Sequence, residues 1–330
     1  MIVAAFATSG LAQEIAMSPN FSNQLAQIHV GVRSGRITAT PRFMNRNLSS
    51  NVKSDDREES LRVDTSGFTA TIEYRLSTKA FQVDVLLDRG RELRIRRTPK
   101  LPDGPAPFEF HQSPDGKLSM TVGAGAARKT TDFATLWHVF LAEPEVARND
   151  LEPLLHLLRA GWSPSVTGHA VEEELLKQAH TARSYDRRLW RTLVDQLGDE
   201  GYAERESADR RLRDMGKVTV PFLRSLDLGA LDAEQRFRVR AILRRYGTED
   251  SDDDPEGVAE WLAADVEIWY ALAARSKPAQ RAVIRSQLSM LLGRPIDLRD
   301  ESTGEAFESE LKAIREHIDG MQRAEREPAR

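Results

Sequence analysis

The stretch "GHAVEEELLKQAH" sets His169 and Glu173 four residues apart, on one face of a helix, where an imidazole and a carboxylate can share a divalent ion. His180 falls on the same face but eleven residues on, about 16 Å away at the helical rise, so it cannot join them. The pair reads as a solvated helix face, and no metal site is assigned. The acidic run "EDSDDDPEG" gives Asp250, Asp252 and Asp254 the first three ligand spacings of a calcium loop. Pro255 then stands where that loop needs glycine, and Trp261 where it needs glutamate. Asp254 fits better as a helix cap in front of a first-turn proline.

Other chemistry is thinner. There is no Gly-x-Ser-x-Gly elbow, and the seven histidines are scattered. His138 and His156, beside Trp137, Leu155 and Leu157, read as boundary side chains of amphipathic helices. "TVGAGAARKTT" lacks the Gly-Lys-Ser/Thr ending of a phosphate loop and reads as the linker from the last strand to the first helix. The absence of cysteine removes disulfides, thiolate nucleophiles and zinc ribbons together. No cofactor is predicted.

Cations offer binding rather than catalysis. "DRGRELRIRRTPK" gathers Arg89, Arg91, Arg94, Arg96, Arg97 and Lys100 around one strand, with Leu93 and Ile95 turned the other way. Arg94 and Arg96 would line its exposed face and could meet an acidic partner, but no aromatic residues are interleaved for base stacking, which argues against nucleic acid. In "RESADRRLRDM", Glu206 with Arg210 and Asp209 with Arg213 form four-residue acid-then-base pairs that suit a solvated helix.

The elements that must position these residues follow from composition and period. At 330 residues, with 40% hydrophobic and 30% charged residues, the chain has a globular composition and room for two domains. Residues 14–130 hold 18 Lys and Arg against 13 Asp and Glu, a charge of +5; residues 131–330 hold 29 against 38, a charge of −9. Two differently built regions are expected. Residues 1–13 end in small residues and an Ala12-Gln13 junction that resembles a secretory cleavage site, although no Lys or Arg precedes the apolar run. That resemblance predicts an extracytoplasmic location, periplasmic or secreted. No stretch approaches the apolar length of a transmembrane helix.

Within 14–130 the pattern is period two, predicting a small antiparallel β domain. "FTATIEY" puts Phe68, Ala70, Ile72 and Tyr74 on one side; "FQVDVLL" does so with Phe81, Val83, Val85 and Leu87, and the two strands are expected to pair. "QIHVGV" and "RITATPR" flank Gly35 as a hairpin, and Pro114-Asp115-Gly116 turns "FEFH" into "KLSMTVG". "NRNLSSNVKSDDREES" lacks apolar anchors and is expected to be a loop.

From 131 to 330 the period is helical, which makes the fold class α+β, with "PEGVAEWLAADVEIWYALAAR" as one long helical segment. The segment "LGDEGYAERESADRRLRDMG", 197–216, recurs about 31 residues later: Leu197-Gly198 aligns with Leu228-Gly229, Arg205 with Arg236, Ala208 with Val239, Leu212 with Leu243, and Met215-Gly216 with Tyr246-Gly247. "PLLHLLRAG" from Pro153 matches "PFLRSLDLG" from Pro221 as a degenerate third copy. A helix, turn and helix at this period is the mark of an α-solenoid.

Asp199, Arg205, Ala208, Leu212 and Gly216 follow the "D…R-x-x-A-x-x-x-L…G" pattern, so that roughly residues 150–247 resemble the short HEAT-like repeat family. In the second copy Ala230 stands where Asp199 would align, with Asp232 nearby. The resemblance implies a stacked scaffold that binds proteins, with Asp199 and Arg205 structural. The expected function is therefore non-enzymatic protein binding, through exposed Arg210, Arg211, Arg240 and Arg244 on the second helices of the two clear repeats. The alternative is an enzyme or glycan-binding protein with a site at the junction of the β domain and the helices, using Arg94, Arg96 or the His169/Glu173 pair.

Overall fold

A computed structural model of the chain describes residues 15, 17–44, 46–66, 68–180, 185–247 and 254–326. The cleavage-site resemblance at Ala12-Gln13 and the carboxylates Asp250 and Asp252 lie outside the described residues. The chain divides into two compact units, Met1–Thr167 with 251–253, and Gly168–Asp250 with Asp254–Arg330.

The described residues of the first unit form ten antiparallel strands. β1 (Ile28–Arg33) and β2 (Arg36–Pro41) make a separate hairpin, closed by Ser34 and Gly35, both left-handed. β3 (Asn47–Lys53), β4 (Arg57–Asp64), β5 (Thr71–Thr78), β6 (Phe81–Asp88), β7 (Glu92–Pro99), β8 (Phe108–Gln112), β9 (Leu118–Val122) and β10 (Lys129–Phe133) form one sheet in sequence order. Ile72, Tyr74, Phe81, Val83, Val85, Leu87, Leu93 and Ile95 face inward and are buried, as alternation demands. β5 and β6 pair as expected, with Tyr74 opposite Val85. The two sheets are tied by Gln112, whose buried amide accepts from Ile37 N and donates to Ile37 O, both at 2.8 Å.

Three expectations are corrected here. The polar stretch taken as a loop holds β3 and the start of β4, with Ser50 opposite Leu61. β3 is a sheet edge and buries little, so hydrogen bonding rather than apolar patterning defines it. The linker after β9 likewise contains the opposite edge strand, β10. Phe68 does not share the inward face of Ala70, Ile72 and Tyr74: it is 82% exposed, because β5 begins only at Thr71, after a turn in which Asp64 accepts from Ser66 N and Oγ.

Helices complete the first unit. α1 (Pro19–Leu25) precedes the strands; α2 (Leu136–Ala142) follows them, capped by Thr135, which accepts from His138 N. His138 is buried, with Nδ1 2.7 Å from the Thr135 hydroxyl. α3 (Pro144–Val146) and α4 (Glu152–Leu155) flank a π turn at Ala147–Leu151; Pro153, just beyond it, has no N–H to continue the ladder. α5 (Pro164–Gln178) runs across the division between the units.

The second unit is helical: α6 (Arg187–Gln196), α7 (Tyr202–Asp214), α8 (Val220–Ser225), α9 (Ala233–Gly247), α10 (Pro255–Leu262), α11 (Val266–Ala274), α12 (Pro278–Leu292) and α13 (Gly304–Arg326). Trp190, Leu193, Leu212, Phe222, Val239 and Ile242 are buried where α6 to α9 meet. Asp254 caps α10 as expected, accepting from Gly257 N at 2.9 Å. The expected long segment from 255 is instead two helices. Ala263 O is taken by Trp269 Nε1 at 2.8 Å and by Gln287 Nε2 at 3.2 Å, and Asp265 starts α11 by accepting from Glu267 N. Beyond α12, the buried Glu310 accepts from Ser302 Oγ and from Arg299 N and Nε, pinning the 293–303 loop to α13.

Gly216, just after α7, has φ +78° and open space where a Cβ would sit. Gly216→Ala is therefore expected to cost about 1–2 kcal/mol from backbone conformation alone. Urea denaturation measures it; wild-type stability in the variant would show that the left-handed turn is not required.

Candidate functional site

The local logic of α7 and α9 is a division between cations held by carboxylates and cations left in solvent. Ala208 and Leu212 are the buried positions of α7; Val239 and Ile242 are those of α9. At 100° per residue, Arg210 lies opposite the first pair, with Arg211 on its flank. Phe237, Arg240 and Arg244, three and four apart, lie opposite the second pair. All five are exposed, Phe237 to 62%.

Three carboxylates on these helices, Glu206, Asp209 and Glu234, are committed to other cations, while Glu204 and Asp214 are exposed. Asp209 takes Arg213 in a bidentate pair at 2.6 and 3.1 Å, which holds the Arg213 guanidinium above its ordinary pKa. Glu206 does not hold Arg210, as its four-residue spacing predicts, but Arg238 of α9, at 2.8 Å. Glu234 also holds Arg238, at 2.6 Å. Burial lowers the pKa of Arg238, but the hydrogen bonds it donates to the two glutamates, with their charges, outweigh this and raise it overall. These contacts weld α7 to α9 and leave Arg210, Arg211, Arg240 and Arg244 without an ion pair among the described residues.

The turns supply the rest of the framework. Arg205 donates to the Asp199 and Glu200 carbonyls at 2.7 and 2.9 Å, closing the turn between α6 and α7, while Asp199 accepts from Gly201 N. In the second copy Asp232 accepts from Gln235 N, and Gln235 Nε2 donates to Val194 O on α6 at 3.1 Å. Tyr202, 67% exposed with Arg205 5.8 Å over its ring, adds an aromatic surface. Tyr202 and Phe237 were absent from the sequence expectation. Phe237 was legible in principle, since it shares the three-and-four spacing of Arg240 and Arg244.

The remaining candidates are placed as follows. Arg94 and Arg96 stand on the outer face of β7 in the first unit. Arg94 is paired with Glu92 at 2.7 Å, and Arg96 lies between Asp84 and Glu109 in the strand register. Of the basic run, the outward arginines within β7 itself therefore have acids beside them, whereas Arg89 and Arg91, in the connection before it, have no ion pair among the described residues. Arg97, counted in the same run, points inward and is 1% exposed. His169 and Glu173 lie 3.4 Å apart on the exposed face of α5, and among the described residues no three His, Asp or Glu side chains form a group that could hold a metal.

A cleft of about 250 Å3 in the first unit runs between α1, β1 and residues 156–160. Its polar lining includes His29, His156, Arg42 and Arg159, and the Glu152 carboxylate stands 3.9 Å from His156 Nε2.

No helix among the described residues is long and apolar enough to cross a membrane. No protein-family model matches the chain, and no curated protein or solved structure matches it.

Proposed function

We propose that the protein is a non-enzymatic binding or scaffold protein whose helical region, a short α-solenoid of HEAT-like repeats, engages an acidic surface of a protein partner through the outer faces of α7 and α9. One observation carries the reading: Glu206, Asp209 and Glu234 are spent on Arg213 and Arg238, while Arg210, Arg211, Arg240 and Arg244 are exposed without an ion pair among the described residues, and exposed Phe237 shares the outer face of α9 with Arg240 and Arg244. Arginine and aromatic side chains together are the composition of protein interfaces, and stacked repeats present an extended surface that needs no pocket.

The test is capture with wild type and with R210E/R211E/R240E/R244E, followed by titration of the purified partner at two salt concentrations. The variant keeps the fold, because all four side chains are solvent-exposed. Its affinity falls at least about tenfold, and wild-type binding weakens with salt. Equal binding by wild type and variant would remove this face as the interface.

A further inference from the structure

A second surface, in the other unit, combines apolar side chains and cations at one end of the sheet. Three connections meet there. The β2–β3 and β4–β5 connections are joined where Thr65 N donates to Arg46 O at 2.9 Å and Arg46 N to Thr65 Oγ1 at 3.0 Å. The β4–β5 and β6–β7 connections are joined where Gly90 N donates to Ala70 O at 2.8 Å and Arg89 N to Thr71 Oγ1 at 3.2 Å.

From these connected loops project Phe43, 55% exposed, Met44, 53% exposed, and Phe68, 82% exposed. Arg42, Arg46, Arg89 and Arg91 are exposed on the same loops, and none has an ion pair among the described residues. The nearby carboxylates are turned inward to the loops themselves: Asp64 accepts from Ser66, and Asp88 from the Thr71 hydroxyl.

Leaving three large apolar side chains in water at loop tips is costly unless something receives them. A soluble polyanion would engage the arginines but leave Met44 and Phe68 exposed. Base stacking is poorly served, since Arg46 sits 5.2 Å over the Phe43 ring. A bilayer surface bearing anionic lipids takes both: apolar tips enter the boundary between headgroups and acyl chains, and guanidinium groups meet lipid phosphates.

We propose that this end of the sheet docks the protein on an anionic lipid surface, with Phe43, Met44 and Phe68 inserted and the four arginines on the headgroups. The docking is peripheral, and it is independent of the partner face on α7 and α9, so either can fail alone.

The full-length protein is sedimented with phosphatidylcholine vesicles and with vesicles that also contain phosphatidylglycerol. Wild type pellets with the anionic vesicles and not with the neutral ones, and rising salt releases it. R42Q/R89Q/R91Q weakens binding about a hundredfold, and F43S/M44S/F68S at least about tenfold. Both variants keep the wild-type melting temperature, because the six side chains are exposed. The salt and lipid dependence of wild type stands as a test that needs no variant. Wild type left in the supernatant of anionic vesicles, or equal binding to neutral ones, overturns the proposal. So does F43S/M44S/F68S binding as tightly as wild type, an outcome that would assign the arginines to a soluble polyanion.

Discussion

Asp150→Ala lowers the stability of the first unit by about 3–5 kcal/mol, the cost of leaving the buried Arg97 guanidinium without its half-buried carboxylate. Arg97, 1% exposed, reaches the carboxylate at 2.5 Å from the inner side of β7 and donates to the Ala106 carbonyl at 3.1 and 2.9 Å. Its Nη1 is already buried without a hydrogen-bond partner, so losing Asp150 leaves a guanidinium in the core with only one carbonyl and the nearby Phe108 ring, 5.8 Å away. Removing both charges is milder. In Arg97→Met/Asp150→Ala the methionine fills part of the space of the arginine stem and no charge is left buried, so the double variant is more stable than Asp150→Ala alone. Urea unfolding of the two variants and Arg97→Met closes a double-mutant cycle. Additive losses would mean that the pair does not couple the sheet to the π turn.

Arg97 also shows why only part of this unit can be read from its sequence. Alternation identified β5, β6 and β7 because Phe81, Val83, Val85 and Leu87 place apolar residues on every inward position. In "ELRIRR" the inward series is Leu93, Ile95, Arg97, and a period-two reading cannot tell an inward arginine from another surface cation. Gln112 and Glu59 are hidden in the same way, each on the inward side with a role set by a distant partner, Ile37 or Ser18. The two strands that escaped notice, β3 and β10, are the two edges of the sheet. Edge strands pair on one side only and carry polar residues that discourage association with other chains, so a signal based on apolar alternation fades there for a physical reason.

The helical face was easier to see in its residues than in its electrostatics. The exposure of Arg210, Arg211, Arg240 and Arg244 follows from helical period against Ala208, Leu212 and Val239. Which arginines stay unneutralised does not, since an acid has neighbours on the next helix as well as on its own. Spacing along α7 matches Glu206 with Arg210, yet Glu206 turns to Arg238, and that exchange between helices leaves Arg210 without an ion pair among the described residues. Similarly, the break between α10 and α11 depends on Trp269 and Gln287 reaching back to Ala263 O, and the second of these contacts, across 24 residues, lies outside any local window.

Glu59→Gln is expected to cost about 2–4 kcal/mol near neutral pH, and the loss should shrink as the solution is acidified. Glu59 is 1% exposed on the inward face of β4 and accepts from Arg57 Nε at 2.5 Å, Ser18 Oγ at 2.6 Å, Ser18 N at 3.2 Å and the Tyr74 hydroxyl at 3.0 Å. Burial pushes its carboxyl pKa up, but the hydrogen bonds from Arg57 and Ser18, with the Arg57 charge, outweigh that and hold it below the ordinary range. Burial and the Glu59 charge meanwhile keep the Tyr74 phenol protonated as a donor, far above its usual pKa. An amide in place of the carboxylate presents an N–H to one of these donors and leaves it unmatched. Because the folded-state pKa lies below the unfolded value of about 4.3, the contribution is complete above that value. It disappears as pH falls through the folded pKa, where the wild-type carboxylate itself takes up a proton. Stability measured by urea unfolding from neutral pH downward should therefore show wild type approaching Glu59→Gln. Two curves that stay parallel to the most acidic point would show that Glu59 does not enter the folded core as the charged acceptor of these four bonds.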